Sequence, residues 1–304
     1  MHPLFGISLQ VCAMLFFSMQ AACVRFLSDS IPLGEIGFSR AVGGLLPLIL
    51  LLIWQGKLST MWRTSDLRSH VLRGWTNVSS MFCNFAGLAR LPLADATALG
   101  YAAPLFAVVL AATFLGEVVR LWRWCAVIVG FSGVLLMLSP YIGQGSYGNE
   151  HVFGAMLSLS SAFLFGIALT QIRHMTARET TAALAFYYCV IAAGVSLVTI
   201  FWGWVVPSTY ELGLLIALGV FGGTGQILMT ESLRHAAAAV LAPFAYTSMI
   251  WAVAIGYFWF SEVPAAIVMA GAAIVIGAGL FVIWREHQLG LDRKRAPTNV
   301  GPPA

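Results

Sequence analysis

The side chains best suited to chemistry are polar groups that stand singly inside long apolar runs. Arg40 is one of them, and it would lie in hydrocarbon if its run crossed a membrane. A charge there costs several kcal/mol unless it is paired or hydrated, so Arg40 is a candidate binding group for a carboxylate or another anion. It lies only about 8 Å inside its run at 1.5 Å per residue, so the alternative is that it snorkels to the nearer interface.

Amide and aromatic side chains form a second group of candidates. Gln20 and Asn84 could hydrogen-bond a substrate, or they could tie helices together for about 1 kcal/mol each. Tyr101 and Tyr246 offer a ring for stacking and a hydroxyl that needs a partner, and Trp251 could stack on a planar ligand. Ordinary helix packing is the alternative for all three aromatic residues. We predict substrate binding by these five side chains and Arg40.

Two prolines are candidates for a role in gating, and one glutamate is a candidate for proton coupling. Pro104 and Pro243 fall in the middle of apolar runs, where proline removes a backbone hydrogen bond and kinks a helix. Such kinks suit gating, although membrane helices tolerate proline for other reasons. Glu231 is a weaker candidate for proton coupling, because Arg234 and His235 stand at the i+3 and i+4 positions that favour a local ion pair.

The composition indicates what must position these residues. Of the 304 residues, 60% are hydrophobic and 9% are charged, whereas a soluble domain carries about 25% charged residues. The mean hydropathy is +0.87. Ten apolar runs of spanning length predict an all-α integral membrane protein with ten transmembrane helices. The runs cover residues 4–27, 35–54, 69–91, 94–116, 121–140, 152–173, 181–204, 211–233, 237–260 and 264–284.

Several functional classes lack their sequence signals. The chain has no phosphate-binding loop for ATP, no metal-ligand cluster and no nucleophile elbow, so we expect no catalytic residues, no metal and no cofactor. It also has no basic stripe with interleaved aromatic residues, so we expect no nucleic-acid partner. A channel is a weaker alternative, because rings of like charge are missing.

Charge placement and an internal repeat predict the topology. Lys and Arg concentrate on the face that holds both termini, and the other face has only Arg25, Arg40 and Arg90, which predicts cytoplasmic termini. Residues 88–117 align with 233–262 at a shift of 145, which pairs Tyr101 with Tyr246 and Glu117 with Glu262. Five spans per half is an odd number, so the halves would be inverted repeats. We divide the chain into residues 1–140, residues 141–286 and a disordered cytoplasmic tail at 287–304.

Longer motifs resemble a known family. Glu35–Arg40 reads EIGFSR, residues 91–98 read LPLADATA, and the fourth and ninth runs end in LGE and FSE. The chain resembles the drug/metabolite transporter superfamily, specifically its bacterial ten-helix EamA branch. The resemblance implies a central cavity lined by both repeats and opened alternately to either side of the bacterial inner membrane.

Together these observations predict a secondary transporter for a small organic metabolite. An amino acid or a related compound is the first choice, because amide- and tyrosine-bearing spans suit a zwitterion. A larger planar metabolite such as riboflavin or S-adenosylmethionine is the alternative. The partners would be the substrate and the lipid bilayer, and the sequence leaves the oligomeric state open.

Overall fold

The structure is a computed structural model that describes residues 3–56, 58–114, 120–142, 148–175, 179–236 and 238–295. These residues contain α-helices and two short 3-10 turns, at Leu58–Thr60 and Thr199–Trp202, and no strand. The helices α1 to α12 are Pro3–Leu27, Leu33–Trp54, Leu67–Leu88, Leu93–Gly100, Ala103–Phe114, Leu121–Ile142, Asn149–Met175, Thr181–Val198, Thr209–His235, Ala238–Ala245, Thr247–Phe260 and Ala266–Arg295.

Nine helical spans in the described residues are long and apolar enough to cross a membrane. The remaining predicted span corresponds to α3, which has 22 residues but carries Arg68, His70 and Arg73 in its first half. The all-helical prediction is therefore confirmed. Large apolar side chains such as Ile128, which is 67% exposed, cover the outside of the bundle as a bilayer requires.

The fourth and ninth spans are each built from two helices. Helix α4 ends at Gly100 and α5 begins at Ala103, while α10 ends at Ala245 and α11 begins at Thr247. The ring of Pro104 would clash with the carbonyl of Gly100 in a continuous helix, which explains the first break. The second break lies three residues after Pro243, at Tyr246.

Close helix contacts depend on small residues. Helix α1 packs mainly against α9, α3 against α7, and α6 against α12. Where α2 crosses α9, a Cβ atom built on Gly43 would lie 2.7 Å from the Cα atom of Gly219, so only glycine fits there. The hydrophobic effect does not drive helices together within a bilayer. Small residues instead let the helix backbones approach closely and gain van der Waals contact.

The last helix extends beyond its apolar part. Helix α12 continues to Arg295, and our division of the chain, with a disordered tail at 287–304, stays a prediction. Basic residues suit the negative end of the helix dipole, and no proline interrupts the helix before Pro297. Residues 296–304 lie outside the described residues, as does Glu117.

Polar contacts join connecting segments at one end of the bundle, which we call the first face, where α1 begins. Glu179, between α7 and α8, accepts hydrogen bonds at Oε1 from the Ser65 backbone N–H at 2.8 Å and from the Ser65 and Thr64 hydroxyls at 2.7 and 3.0 Å. His70 Nε2 lies 3.4 Å from Glu179 Oε2. This carboxylate therefore ties the α7–α8 connection to the α2–α3 connection.

The opposite end, where α1 ends, is the second face and has its own ties. Glu35 Oε2 accepts a hydrogen bond of 3.2 Å from the Val205 backbone N–H, which joins α2 to the α8–α9 connection. Glu262 Oε2 accepts one of 2.8 Å from the Leu93 N–H, and Glu262 Oε1 lies 3.6 Å from Arg25 Nε. Glu262 therefore caps the N-terminus of α4, because the start of α4 lies beside the end of α11.

Candidate substrate cavity

A cavity of about 240 Å³ lies in the middle of the bundle, between helices of both halves of the chain. Its lining residues come from helices α1 to α5 of the first half and from α7 and α8 of the second half. Its polar lining consists of Gln20, Arg40, Asn77, Ser80, Asn84, Ser161 and Tyr188. Three of our six predicted binding residues, Gln20, Arg40 and Asn84, therefore share one cavity.

Arg40 faces this cavity and meets α8. Its Nη1 atom donates a hydrogen bond of 3.1 Å to Tyr188 Oη, and its Cζ atom lies 5.5 Å from the centre of the Tyr188 ring. Neither Asp nor Glu lines the cavity, and in the described part of the chain no carboxylate forms an ion pair with Arg40. The guanidinium is therefore held by a neutral group and has no counter-charge among these residues.

Helix α3 presents a polar face to the cavity. Asn77, Ser80 and Asn84 follow one another at spacings of three and four, which places them on one side of the helix. Ser80 and Ser161 bond reciprocally, each Oγ donating to the other's carbonyl at 2.9 Å, and so tie α3 to α7. The two serines are structural ties, whereas the two asparagine amides make no hydrogen bond within the described residues.

Gln20 supplies an unsatisfied acceptor. Its side chain is 8% exposed, and its Oε1 atom is buried without a hydrogen-bond partner, close to Gly222 of α9. A buried acceptor without a partner costs about 1–3 kcal/mol. Gln20 would recover that cost if a donor entered the cavity.

The three aromatic candidates lie elsewhere. The rings of Tyr101 and Tyr246 contact each other edge to face at 5.1 Å, and Tyr101 Oη lies 2.7 Å from Ser248 Oγ. Trp251 has a buried Nε1 without a bonding partner. None of the three lines the cavity. However, Gly100 and Ala103 do line it, so the break at Tyr101 adjoins the cavity wall.

The two predicted gating prolines and Glu231 lie outside the cavity lining. Pro104 lies in the first turn of α5, and Pro243 lies inside α10. Glu231 forms the expected local pairs, with Arg234 Nη1 at 3.0 Å and His235 Nε2 at 3.5 Å. It is not part of the cavity lining, and proton coupling through it stays a prediction.

Sequence reasoning missed a buried acid and four polar residues of the cavity, namely Asn77, Ser80, Ser161 and Tyr188. Asn77 could have been found from its seven-residue spacing to Asn84, whereas nothing in the sequence brings Tyr188 to Arg40. Asp95 is 2% exposed, and its carboxylate accepts a hydrogen bond from the Tyr141 hydroxyl, which joins α4 to α6. In the described ranges no three His, Cys, Asp or Glu side chains lie close enough to hold a metal ion.

Comparison with known proteins decides the family. The sequence profile of the EamA-like transporter family matches the chain twice, over residues 4–139 and 152–284. The chain belongs to the EamA-like transporter family. The family resemblance inferred from the sequence motifs is therefore confirmed, and the two matches divide the chain at the α6–α7 connection.

Relatives in this family carry different cargoes. A pseudopaline exporter from Pseudomonas aeruginosa is 32% identical over 90% of this chain and 94% of that protein. An S-adenosylmethionine uptake transporter from Rickettsia prowazekii is 29% identical over 93% and 94%. A riboflavin transporter from Rhizobium johnstonii is 30% identical over 70% of this chain and 67% of that protein.

A crystal structure also shares the fold of this EamA-like chain. It superposes with a TM-score of 0.64 at 20% sequence identity and covers 93% of this chain and 98% of the other. At that identity the similarity concerns the arrangement of helices and says nothing about the cargo.

Proposed function

We propose that the protein is a secondary transporter that carries a small organic metabolite across the bacterial inner membrane by alternating access. The observation that carries the proposal is the polar cavity between helices of both halves, in a chain that belongs to a transporter family. An amino acid or a related compound is the first choice of cargo. Ligands of secondary transporters commonly bind near the midplane between two repeats.

Helix packing supports an inverted repeat of five and five spans. If α1, α2, α3 and α6 are exchanged with α7, α8, α9 and α12, the main contacts exchange as well. The α1–α9 contact becomes α7–α3, the α2–α9 contact becomes α8–α3, and the α2–α8 and α6–α12 contacts are unchanged. The breaks at Tyr101 and Tyr246 also correspond, at the 145-residue shift seen in the sequence.

A larger planar metabolite is the second candidate. It is favoured by the names of two relatives, the S-adenosylmethionine uptake transporter and the riboflavin transporter. A channel would be a third possibility, but a cavity lined by helices from both halves fits a carrier better.

Counterflow in proteoliposomes tests the proposal. Vesicles with purified protein are loaded with an unlabelled compound, and uptake of the same labelled compound is followed for amino acids, riboflavin and S-adenosylmethionine, with and without a proton gradient. Transient accumulation that excess unlabelled compound abolishes is the expected result. Passive equilibration without accumulation would favour a channel instead.

The orientation is tested with reporter fusions. Lys and Arg concentrate on the face that holds both termini, which predicts that the termini are cytoplasmic. A fluorescent protein fused after residue 304 should then fluoresce. Alkaline phosphatase should be active when fused after Val206 and inactive when fused after Trp54. The reverse pattern of phosphatase activity would invert the proposed topology.

A further inference from the structure

The charge balance of the cavity bears on the chemistry of the cargo. Arg40 is the one charged side chain among the described residues that line it, and no acidic group lies beside it. An uncompensated charge within a membrane-spanning bundle is expensive, and the hydrogen bond that Arg40 donates to the Tyr188 hydroxyl replaces only part of the lost hydration. An anionic group on the cargo would supply the missing counter-charge.

The position of the guanidinium excludes the snorkelling alternative. Arg40 lies about 10 Å from the start of α2 at the second face, by the rise of 1.5 Å per residue. Tyr188 lies a similar distance, about 10 Å, from the start of α8 at the first face. Because the two side chains meet, the Arg40 head group points toward the middle of the bundle and away from the nearer interface.

The remaining lining adds groups for a polar cargo with N–H donors. Gln20 Oε1 is a buried acceptor without a partner, and the amides of Asn77 and Asn84 face the same cavity. A carboxylate can take two parallel hydrogen bonds from a guanidinium, a geometry that a neutral carbonyl cannot match in strength.

We propose that the cargo carries a carboxylate that binds to Arg40, with Tyr188 holding the guanidinium in place and Gln20 accepting an N–H from the cargo. This inference rests on the proposed transport function. It separates amino-acid-like compounds, including S-adenosylmethionine, from riboflavin, which has no carboxylate.

Binding to matched compounds tests the proposal independently of transport. The full-length protein in detergent is heated with millimolar phenylalanine, phenylalaninamide, S-adenosylmethionine, decarboxylated S-adenosylmethionine or riboflavin, and its melting temperature is measured. We expect stabilisation by at least one of the two acids and by neither of their carboxyl-free counterparts. Stabilisation by an amide as strong as by its acid, or by neither acid, would overturn the proposal.

Variants assign the effect to the named residues. Arg40→Gln should weaken binding of the acid about tenfold or more, because it removes a charge-assisted pair. Arg40→Lys keeps the charge and guards against a folding defect, and it should retain weak binding. Tyr188→Phe should raise the half-saturating concentration of the acid about fivefold through loss of one hydrogen bond. Arg68→Gln, at an exposed arginine on α3, is the matched control and should bind like the parent.

The two hypotheses fail in different ways. Acid binding that depends on Arg40 without any counterflow would leave the carboxylate site standing and contradict the transport proposal. Counterflow of riboflavin or of an amide that Arg40→Gln does not reduce would leave transport standing and overturn the carboxylate site.

Discussion

Tyr101 and Tyr246 meet edge to face at the points where two spans pass from one helix to the next. The Tyr101 hydroxyl bonds Ser248 beyond the second break, and the Tyr246 hydroxyl lies against Gly279 of α12. The pair therefore joins the two broken spans to each other, and it reaches the cavity only through its neighbours Gly100 and Ala103.

Removing either hydroxyl should slow transport. Tyr101→Phe and Tyr246→Phe are each expected to lower the counterflow rate several-fold while membrane yield stays normal. The first deletes the hydrogen bond to Ser248, worth about 1 kcal/mol, and the second removes the hydroxyl that packs against Gly279. Tyr257→Phe, at an exposed tyrosine of α11, is the control. Parental rates in both variants would contradict a role for the symmetric pair.

Ionisation of Glu179 should make the folding stability of the protein depend on pH. Burial alone would raise the pKa of this carboxyl, but hydrogen bonds from Ser65, His70 and Thr64 outweigh it and lower the pKa to about 2. A lowered folded-state pKa means that the carboxylate stabilises the protein above its ordinary pKa of 4.5, and that this contribution is lost as pH falls toward 2.

We therefore expect Glu179→Gln to lower the melting temperature in detergent by about 5 °C at pH 7, because bonds to a charged acceptor are lost. The gap between variant and parent should shrink as the pH falls from 6 to 3. A gap that is independent of pH would show that the ionised form of Glu179 adds nothing.

Sequence reasoning found some of these residues because a lone polar group in an apolar run is conspicuous. Gln20, Arg40 and Asn84 were found in this way, and all three line the cavity. Tyr188 was missed because its role depends on α2 packing against α8, which no local pattern encodes. Glu35 and Glu179 bond to backbone or hydroxyl groups of distant connections, so their partners were equally invisible.

Among the elements, the broken spans differ most from simple membrane helices. The prolines predicted a disturbance in each, and Pro104 does adjoin one break. The separation into two helices at Tyr101 and Tyr246 was not predicted, because a proline in a membrane helix more often kinks than interrupts it. The Tyr246 break, three residues beyond Pro243, shows that the surrounding packing contributes.

Restoring continuity in these spans should stiffen them. Pro104→Ala and Pro243→Ala are expected to reduce the maximal counterflow rate several-fold and to change the half-saturating concentration little, because they return a backbone donor and remove a steric block. The control is Pro140→Ala near the end of α6. If only the half-saturating concentration changed, the prolines would shape the cavity and not its opening.

At the scale of the whole molecule, two carboxylates occupy related places at opposite faces. Glu35 lies at the start of α2 and bonds the α8–α9 connection, and Glu179 precedes α8 and bonds the α2–α3 connection. Exchanging the two halves converts one contact into the other. Each carboxylate therefore joins the halves at one face only.

Neutralising either carboxylate should favour opening of the cavity toward the face where that carboxylate lies. In a background without native cysteines, Asn84→Cys in the cavity is labelled with an impermeant maleimide from each side of oriented vesicles. Glu35→Gln should speed labelling from the second face several-fold, and Glu179→Gln should speed it from the first face. Asp66→Asn is the control, because Asp66 caps its own helix through Ser69. Faster labelling from the same face in both variants would contradict this view.

The polar composition of α3 also has a consequence for how the protein is made. Helix α3 carries Arg68, His70, Arg73, Asn77 and Asn84. A charged arginine opposes membrane insertion by about 2.5–3.5 kcal/mol at the centre of a span and by less near its ends. This segment should leave the translocon slowly if it is synthesised alone, and enter the bilayer only when α4 and α5 arrive behind it. The polar wall of the cavity would then make biogenesis of the first half depend on the order in which its helices are synthesised.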